Sequence, residues 1–128
     1  MNRNLFKIIT TIIIIIILII VVLLSINKIL LASNLEYYNN KEKEMILASK
    51  EYFNNYKDYL PREINKSTRV VLSALVKEKY LDMIKDINNN DCNTTKSYVE
   101  VEKINNNKYL YKAHLVCDKS NYETKDGE

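Results

Sequence analysis

The rhythm of polar and apolar positions changes several times along the chain, and each change marks an element. From Ile8 to Leu24 the sequence reads IITTIIIIIILIIVVLL, seventeen residues without a charge, with Thr10 and Thr11 as the only polar side chains. A helix rises about 1.5 Å per residue and a hydrocarbon core is roughly 30 Å thick, so a span needs about twenty apolar residues. Ile26, Ile29, Leu30 and Leu31 extend the run, with Ser25, Asn27 and Lys28 at headgroup depth. The pattern predicts a tail over 1–7, a transmembrane helix over 8–31, an external domain over 32–122 and a tail over 123–128. Isoleucine favours strands in water, but a lone span in lipid must satisfy its backbone groups internally and is therefore helical.

Beyond the span, Leu31, Leu35, Tyr38, Met45, Tyr52 and Tyr56 recur at steps of three and four, with Glu42 and Ser49 in the intervening slots. Ile46, Phe53 and Leu60 widen this stripe. One helix is therefore expected from about Leu5 to about Tyr59, closing at Asn54, Asn55 and the residue before Pro61. Its outer face needs cover, either from the C-terminal part of the same chain or from a second copy in a coiled coil. The polar slots Glu42 and Ser49 favour the first. Pro61 to Asn65 is a connector. Leu72, Leu75, Val76 and Tyr80 share one helical face within Val70–Leu81, which predicts a short second helix. Asn88 to Asp91 reads as a loop.

The last part alternates with period two, as strands do. Tyr98–Glu102 and Tyr109–Cys117 flank Asn105-Asn106-Asn107. A two-residue loop would mix the faces. A three-residue loop sets Val101 opposite Tyr111, Val99 opposite Ala113 and Glu100 opposite Lys112, with Asn107 in a left-handed conformation. One face then carries Val99, Val101, Tyr109, Tyr111, Ala113, Leu115 and Cys117. The other carries a Glu100–Lys112 ion pair and His114 opposite Tyr98. The expected fold class is α+β: a long N-terminal helix packed on a short helix and a small antiparallel sheet.

Charge sharpens this division. The formal net charge is +3. That excess belongs to Arg3, Lys7 and Lys28 beside the span, because the other basic residues equal the 16 acidic ones. Arg3 and Lys7 before the span, with no acid near them, place the N-terminus in the cytoplasm and the C-terminal domain outside. Arg3, Lys7 and Lys28 are the expected membrane-interface residues. A domain without clustered positive charge is a poor match for nucleic acid. A cleaved signal peptide would have a shorter apolar region and small residues before the cut, and Leu30 sits badly for a cut after Ala32. No cysteine follows the span to take a lipid. The two cysteines, Cys92 and Cys117, lie in the external part, where an even count suggests one disulfide. The wealth of Asn, Ile, Lys and Tyr with one Gly and one Pro resembles the codon bias of an AT-rich genome and implies a bacterial source, in which the sequons at Asn65 and Asn93 carry no sugar.

No constellation here announces a chemistry. His114 stands alone and is expected to be exposed and idle. A Cys–His nucleophile pair needs a free thiol beside the ring, and strand neighbours point to opposite faces. Two cysteines and one histidine make no familiar metal set. One glycine, Gly127, rules out a phosphate-cradling loop. The ten tyrosines read mainly as half-buried core with wet hydroxyls, and secondarily as a binding face. No cofactor is expected.

The segment Val70-x-Leu72-x-x-Leu75-x-x-x-x-Tyr80-Leu81 follows Tyr52 and Leu60-Pro61. It precedes Cys92, Tyr98-Val99-x-Val101, Tyr109-x-Tyr111 and Leu115-x-Cys117. Together with the apolar helix, these residues resemble type IV pilins and pseudopilins, and in particular membrane-proximal modules of Gram-positive surface proteins. The resemblance implies a helical spine, a small antiparallel sheet and a disulfide-closed C-terminal region. Pilin precursors carry a glycine at the processing site and a glutamate early in the apolar run. Here no glycine precedes Phe6 and no acid occurs before Glu36, so a domain held permanently at the surface is expected. The expected function is a membrane-anchored, non-enzymatic interaction or structural module. Its partners would be the lipid bilayer and another envelope protein or a cell-wall polymer, and not nucleic acid. The alternatives are a pseudopilin-like component of a pilus or secretion assembly, or a non-catalytic subunit of an envelope enzyme.

Overall fold

The computed structural model describes residues 2–125. The chain divides into two compact units, Met1–Glu36 and Tyr37–Glu128, and helix α1, Arg3–Asn55, contributes residues to both. Among the described residues the order continues with a 3₁₀ turn at Lys57–Tyr59, β1 (Ser67–Val71), α2 (Leu72–Lys77), β2 (Tyr98–Asn105), β3 (Lys108–His114) and β4 (Val116–Cys117). A second 3₁₀ turn at Asp118–Ser120 leads into β5 (Tyr122–Glu123). This is the expected α+β plan, with a three-stranded antiparallel sheet ordered β1-β2-β3 and a separate β4-β5 hairpin.

In the first unit α1 is apolar and long enough to cross a membrane, and none of its most apolar window is buried against protein. Its few hydroxyls are internally satisfied. Thr10 and Thr11 donate to the carbonyl of Lys7 at 2.9 and 2.8 Å, and Ser25 donates to the carbonyl of Val21 at 2.9 Å. Such back-bonding leaves these side chains no unmet demand in lipid. The helix already begins at Arg3, so most of the tail expected over 1–7 is helical.

In the second unit, the stripe read from spacing is buried in part: its members Tyr38, Met45, Ser49 and Phe53 are covered, Ile46, Tyr52 and Leu60 are half-buried and Tyr56 is exposed. Tyr38, Met45, Ala48, Ser49 and Phe53 are all buried, and they join Leu72, Leu75, Ile84, Val99, Val101 and Leu115 in one core. The chain therefore covers this face itself. Met45, Leu72, Leu75, Val99, Val101 and Leu115 are fully enclosed. Ser49 and Ser97 are buried too, yet Ser49 donates to the carbonyl of Ile46 and Ser97 accepts from the N–H of Val116 at 3.0 Å. α1 stops at Asn55, and Leu60 is extended with ψ 144° as the following Pro61 requires.

The register of β2 and β3 is the one expected: Val101 faces Tyr111, Val99 faces Ala113, Glu100 faces Lys112 and Tyr98 faces His114. The turn is built differently. A bulge between Lys103 and Asn105 absorbs the odd residue, Asn105 accepts the N–H of Asn107 through its side chain, and Asn107 is not among the residues with positive φ. An Asx bond inside a bulged turn supplies the reversal that a left-handed residue would otherwise give.

Three other expectations are corrected. Val70 and Val71 belong to β1 rather than to the second helix, since β1 pairs with β2 through Val70–Val99 and Val71–Tyr98. Their β-branched side chains suit that half-buried surface. α2 is consequently only six residues long. Glu100 finds its ion pair in Arg69, at 3.1 Å, instead of Lys112, because β1 sets Arg69 directly across from it. The last strand breaks at Leu115, whose N–H and carbonyl both turn to Thr124. This exchange starts the β4-β5 hairpin, so ordered structure runs past Tyr122 to Glu123 and Thr124. Residues 126–128 of the expected tail, and Gly127 with them, lie outside the described residues.

Cys92 and Cys117 form a disulfide across a separation of 25 residues. Closing a loop of that size stabilises a fold by about 3–4 kcal/mol in the chain-entropy account. Both sulfurs are buried, and β4 is further tied to the start of the loop where the N–H of Asn93 donates to the carbonyl of Val116 at 2.7 Å.

Among the described residues four non-glycine positions have positive φ, and three are asparagines, which tolerate it. The fourth is Lys79, with φ 62°. It ends α2 in a Schellman arrangement: Lys79 donates to the carbonyl of Val76, and Tyr80 donates to that of Leu75 at 2.9 Å. Lys79→Gly relieves the left-handed strain and is expected to stabilise the fold by about 1 kcal/mol in chemical denaturation. Phe53→Ala, which empties a fully covered site under the sheet, is expected to cost about 3–5 kcal/mol in the same assay.

Candidate membrane anchor and tyrosine surface

The expected interface residues all lie on α1 and are exposed: Arg3 and Lys7 one turn apart at its start, and Lys28 beyond the apolar run. At about 1.5 Å per residue, Lys7 and Lys28 stand roughly 30 Å apart along the axis, which is the thickness of a hydrocarbon core. Between them Ile12–Leu24 expose close to half or more of every side chain. The shallow concavities on this segment, such as the one lined by Leu18, Ile19, Val22 and Leu23, are grooves between neighbouring apolar side chains of the one helix.

In the second unit, Glu42 occupies one of the two polar slots of the stripe and is the anchor of a clasp. Tyr122 donates to its carboxylate at 2.7 Å, and Thr124 donates to the same oxygen. Thr124 in turn accepts the N–H of Leu115 at 2.8 Å. The Tyr122 ring stacks on Tyr38 with centroids 3.7 Å apart and planes 9° from parallel, while Tyr38 donates to Ser120 at 2.8 Å. Burial, followed by the hydrogen bond and negative charge of Glu42, pushes the Tyr122 hydroxyl far above the usual phenol range. Nearby, Asp86 is buried. Burial alone would raise its pKa, but N–H groups of Asn90 and Asn88 bond the carboxylate and hold it below the usual range.

His114 is neither exposed nor idle. Only 16% of its side chain is accessible, and Nε2 lies 3.3 Å from the Glu123 carboxylate. Its ring stacks on Tyr98 at 4.9 Å, and the Arg69 guanidinium covers Tyr98 at 4.3 Å. The outward face of the sheet thus carries a cross-strand stack of cation, phenol and imidazole, where alternation alone predicts a Glu100–Lys112 ion pair and an exposed His114 opposite Tyr98. Among the described residues no group of three or more His, Cys, Asp or Glu is arranged to hold a metal ion.

A second cluster was not read from the sequence. Tyr52 and Tyr56 at the end of α1 meet at 4.7 Å, Tyr59 from the 3₁₀ turn approaches Tyr56 at 6.0 Å, and Tyr80 stands edge-on to Tyr52 at 5.6 Å. Asn55 donates to the Tyr80 hydroxyl at 2.7 Å. The negative charge of Glu78, with burial and the neighbouring phenols, raises the Tyr56 pKa, and burial chiefly raises that of Tyr52. Tyr56 and Tyr59 expose 37% and 62% of their surface. Helical spacing marked Tyr52 and Tyr56 as core. Nothing local signalled that Tyr59 and Tyr80 would join them.

Comparison with protein-family models, with curated proteins and with solved structures gives no match for this chain.

Removing the hydroxyl from the clasp isolates its worth. Tyr122→Phe keeps the stack on Tyr38 but leaves the Glu42 carboxylate one donor short, and is expected to cost about 1–3 kcal/mol at pH 7. A phenol whose folded pKa is raised contributes stability that is complete below about pH 10 and is lost as pH rises through the folded value. Denaturation from pH 8 to 11.5 should therefore show the wild type losing stability above pH 10 more steeply than Tyr122→Phe.

Proposed function

We propose that this chain is a single-pass membrane protein of a bacterial cell surface. In this reading its N-terminus is cytoplasmic, and its C-terminal unit works outside the membrane as a non-enzymatic interaction or structural module. The observation that carries it is the lipid-matched segment of α1, apolar between Lys7 and Lys28 and uncovered by protein. Arg3 and Lys7 at its start support the orientation under the positive-inside rule. The disulfide supports it as well, since such bonds persist in oxidising compartments outside the cytosol.

The absence of catalysis is part of the same proposal. Both cysteines are spent on the disulfide, and the histidine is engaged between Tyr98 and Glu123. The usual nucleophile and general base therefore have structural work. The element order, a long helix followed by a small antiparallel sheet and a disulfide-closed end, supports a pilin-like plan. The processing-site glycine and the early glutamate are missing before Glu36, which favours a permanent anchor over filament assembly. The partner we propose is a component of the envelope, either another protein or a wall polymer.

Orientation is tested by single added cysteines at exposed sites, probed with a membrane-impermeant maleimide. Lys57→Cys is expected to label on intact cells and Asn4→Cys only after permeabilisation. The reverse pattern would put the C-terminal unit in the cytoplasm and end this reading.

A further inference from the structure

The three-stranded sheet has two edges, and β3 forms one of them. The phase of its hydrogen bonds follows from β2. Leu72 donates to the carbonyl of Ser97 at 2.8 Å, and Lys103 donates to that of Lys66 at 3.0 Å. In an antiparallel ladder the N–H and C=O of one residue point to the same neighbour, and the direction alternates along the strand. Val99, Val101 and Lys103 therefore bond β1, while Tyr98, Glu100 and Glu102 bond His114, Lys112 and Leu110 of β3. The N–H and C=O groups of Tyr109, Tyr111 and Ala113 then point out of the sheet. Among the described residues no hydrogen bond from a loop or another element reaches them. Leu115, the next residue of the same parity, shows what this line of groups takes. Its N–H donates to Oγ1 of Thr124 at 2.8 Å, and its carbonyl accepts the N–H of Thr124 at 3.0 Å. The chain lays β5 antiparallel to β4 at that point, and the same edge continues without a partner from Ala113 to Tyr109.

The charges along this edge select what can pair with it. On its outer face β3 presents Lys108, Leu110 and Lys112, all exposed, and the ammonium of Lys50 from α1 lies 5.4 Å from the Tyr111 ring centroid. β3 itself carries no carboxylate. Glu100 is held by Arg69 at 3.1 Å, and Glu102 lies opposite Leu110 on β2. A strand added to β3 runs two strand spacings, about 10 Å, from both. Glu123 faces His114 at 3.3 Å, past the unpaired stretch. A second copy of β3 is a poor partner. Whichever residue lies on the twofold axis, antiparallel pairing sets a lysine opposite or diagonal to a lysine, and like charges so placed destabilise a sheet. Lysine is a common device for keeping identical edges apart. The same lysines attract a strand of opposite charge, whose backbone supplies affinity and whose alternate side chains supply specificity.

We infer that the open edge of β3 binds an extended acidic protein segment by strand addition. The backbone of the segment pairs with Tyr109, Tyr111 and Ala113, and its outer row of side chains reads acid, apolar, acid to match Lys112, Leu110 and Lys108. This inference rests on the outward-facing reading above and gives its envelope-protein partner a chemistry.

The probe is a fluorescent, end-blocked peptide, Thr-Glu-Thr-Val-Thr-Glu-Thr, titrated by anisotropy with the purified full chain in uncharged detergent micelles at low salt. Half-saturation is expected below about 1 mM. The peptide with lysine in place of both glutamates should bind about tenfold more weakly. N-methylation of the third and fifth residues, whose N–H groups face β3, should abolish binding. N-methylation of the second and fourth, whose N–H groups face away, should leave it within about threefold. The double variant Lys108→Glu with Lys112→Glu should reverse the preference between the acidic and basic peptides. Both positions are exposed, and unchanged circular dichroism checks the fold. Failure of the acidic peptide to saturate overturns the inference. Undiminished binding after methylation of the third and fifth residues also overturns it, because the contact would then be charge alone. Binding that appears only in a chain shortened to Lys125 makes the chain's own end the occupant, and dimerisation of the wild type that excludes the peptide makes a second copy the occupant; either result overturns it. Binding is measured on purified protein and orientation on cells, so each proposal fails without the other.

Discussion

The second unit is organised by one face of a helix that must be covered. From Tyr38 to Phe53, α1 presents apolar side chains at helical spacing, and the remaining chain folds so that Leu72, Leu75, Val99, Val101 and Leu115 meet them. Burial of apolar surface at about 25 cal/mol per Å² is the driving term, and in a unit this small it needs help. The disulfide restrains the loop between Cys92 and Cys117, and the Glu42 clasp ties the C-terminal segment back to the helix. A carboxylate in an apolar stripe is costly unless hydrogen-bonded. Its two hydroxyl donors explain why the stripe tolerates it.

In the first unit the same helix is long and apolar enough to cross a membrane. There no protein covers the apolar side chains, and the governing rule is that lipid offers backbone groups no partners. The isoleucine-rich stretch is helical despite the preference of that residue for strands in water. Its three hydroxyl residues turn inward onto the carbonyls of Lys7 and Val21.

The residues most easily suspected of chemistry are occupied by structure. Cys92 and Cys117 are bonded to one another, and His114 sits in the stack of Arg69, Tyr98 and Glu123 on the outward face of the sheet. Just past the end of α1, Tyr56 and Tyr59 stay open to solvent. Phenols bind well without catalysing much: each offers a rigid face, one hydroxyl and little entropy to lose.

By itself, the amino-acid order determined the long apolar helix, much of the buried face of α1, the α+β class, the pairing of Cys92 with Cys117 and the register of β2 against β3. These are properties of period and parity: 3.6 for a helix, two for a strand, and an even number of thiols. One wrong step of register would have turned Val99 and Val101 to solvent. Only the tertiary structure decided the rest. Val70 and Val71 fit a helical pattern locally, and they became β1 because β2, almost thirty residues later, supplied hydrogen bonds that α2 could not. Arg69 displaced Lys112 as the partner of Glu100 for the same reason. Leu115 left the sheet for Thr124, and Tyr59 and Tyr80 joined the end of α1 through a 3₁₀ turn and a left-handed lysine. Local pattern records which residues prefer burial or extension. It does not record which distant segment will meet them, because that choice belongs to packing and hydrogen bonds formed only when the chain has closed on itself.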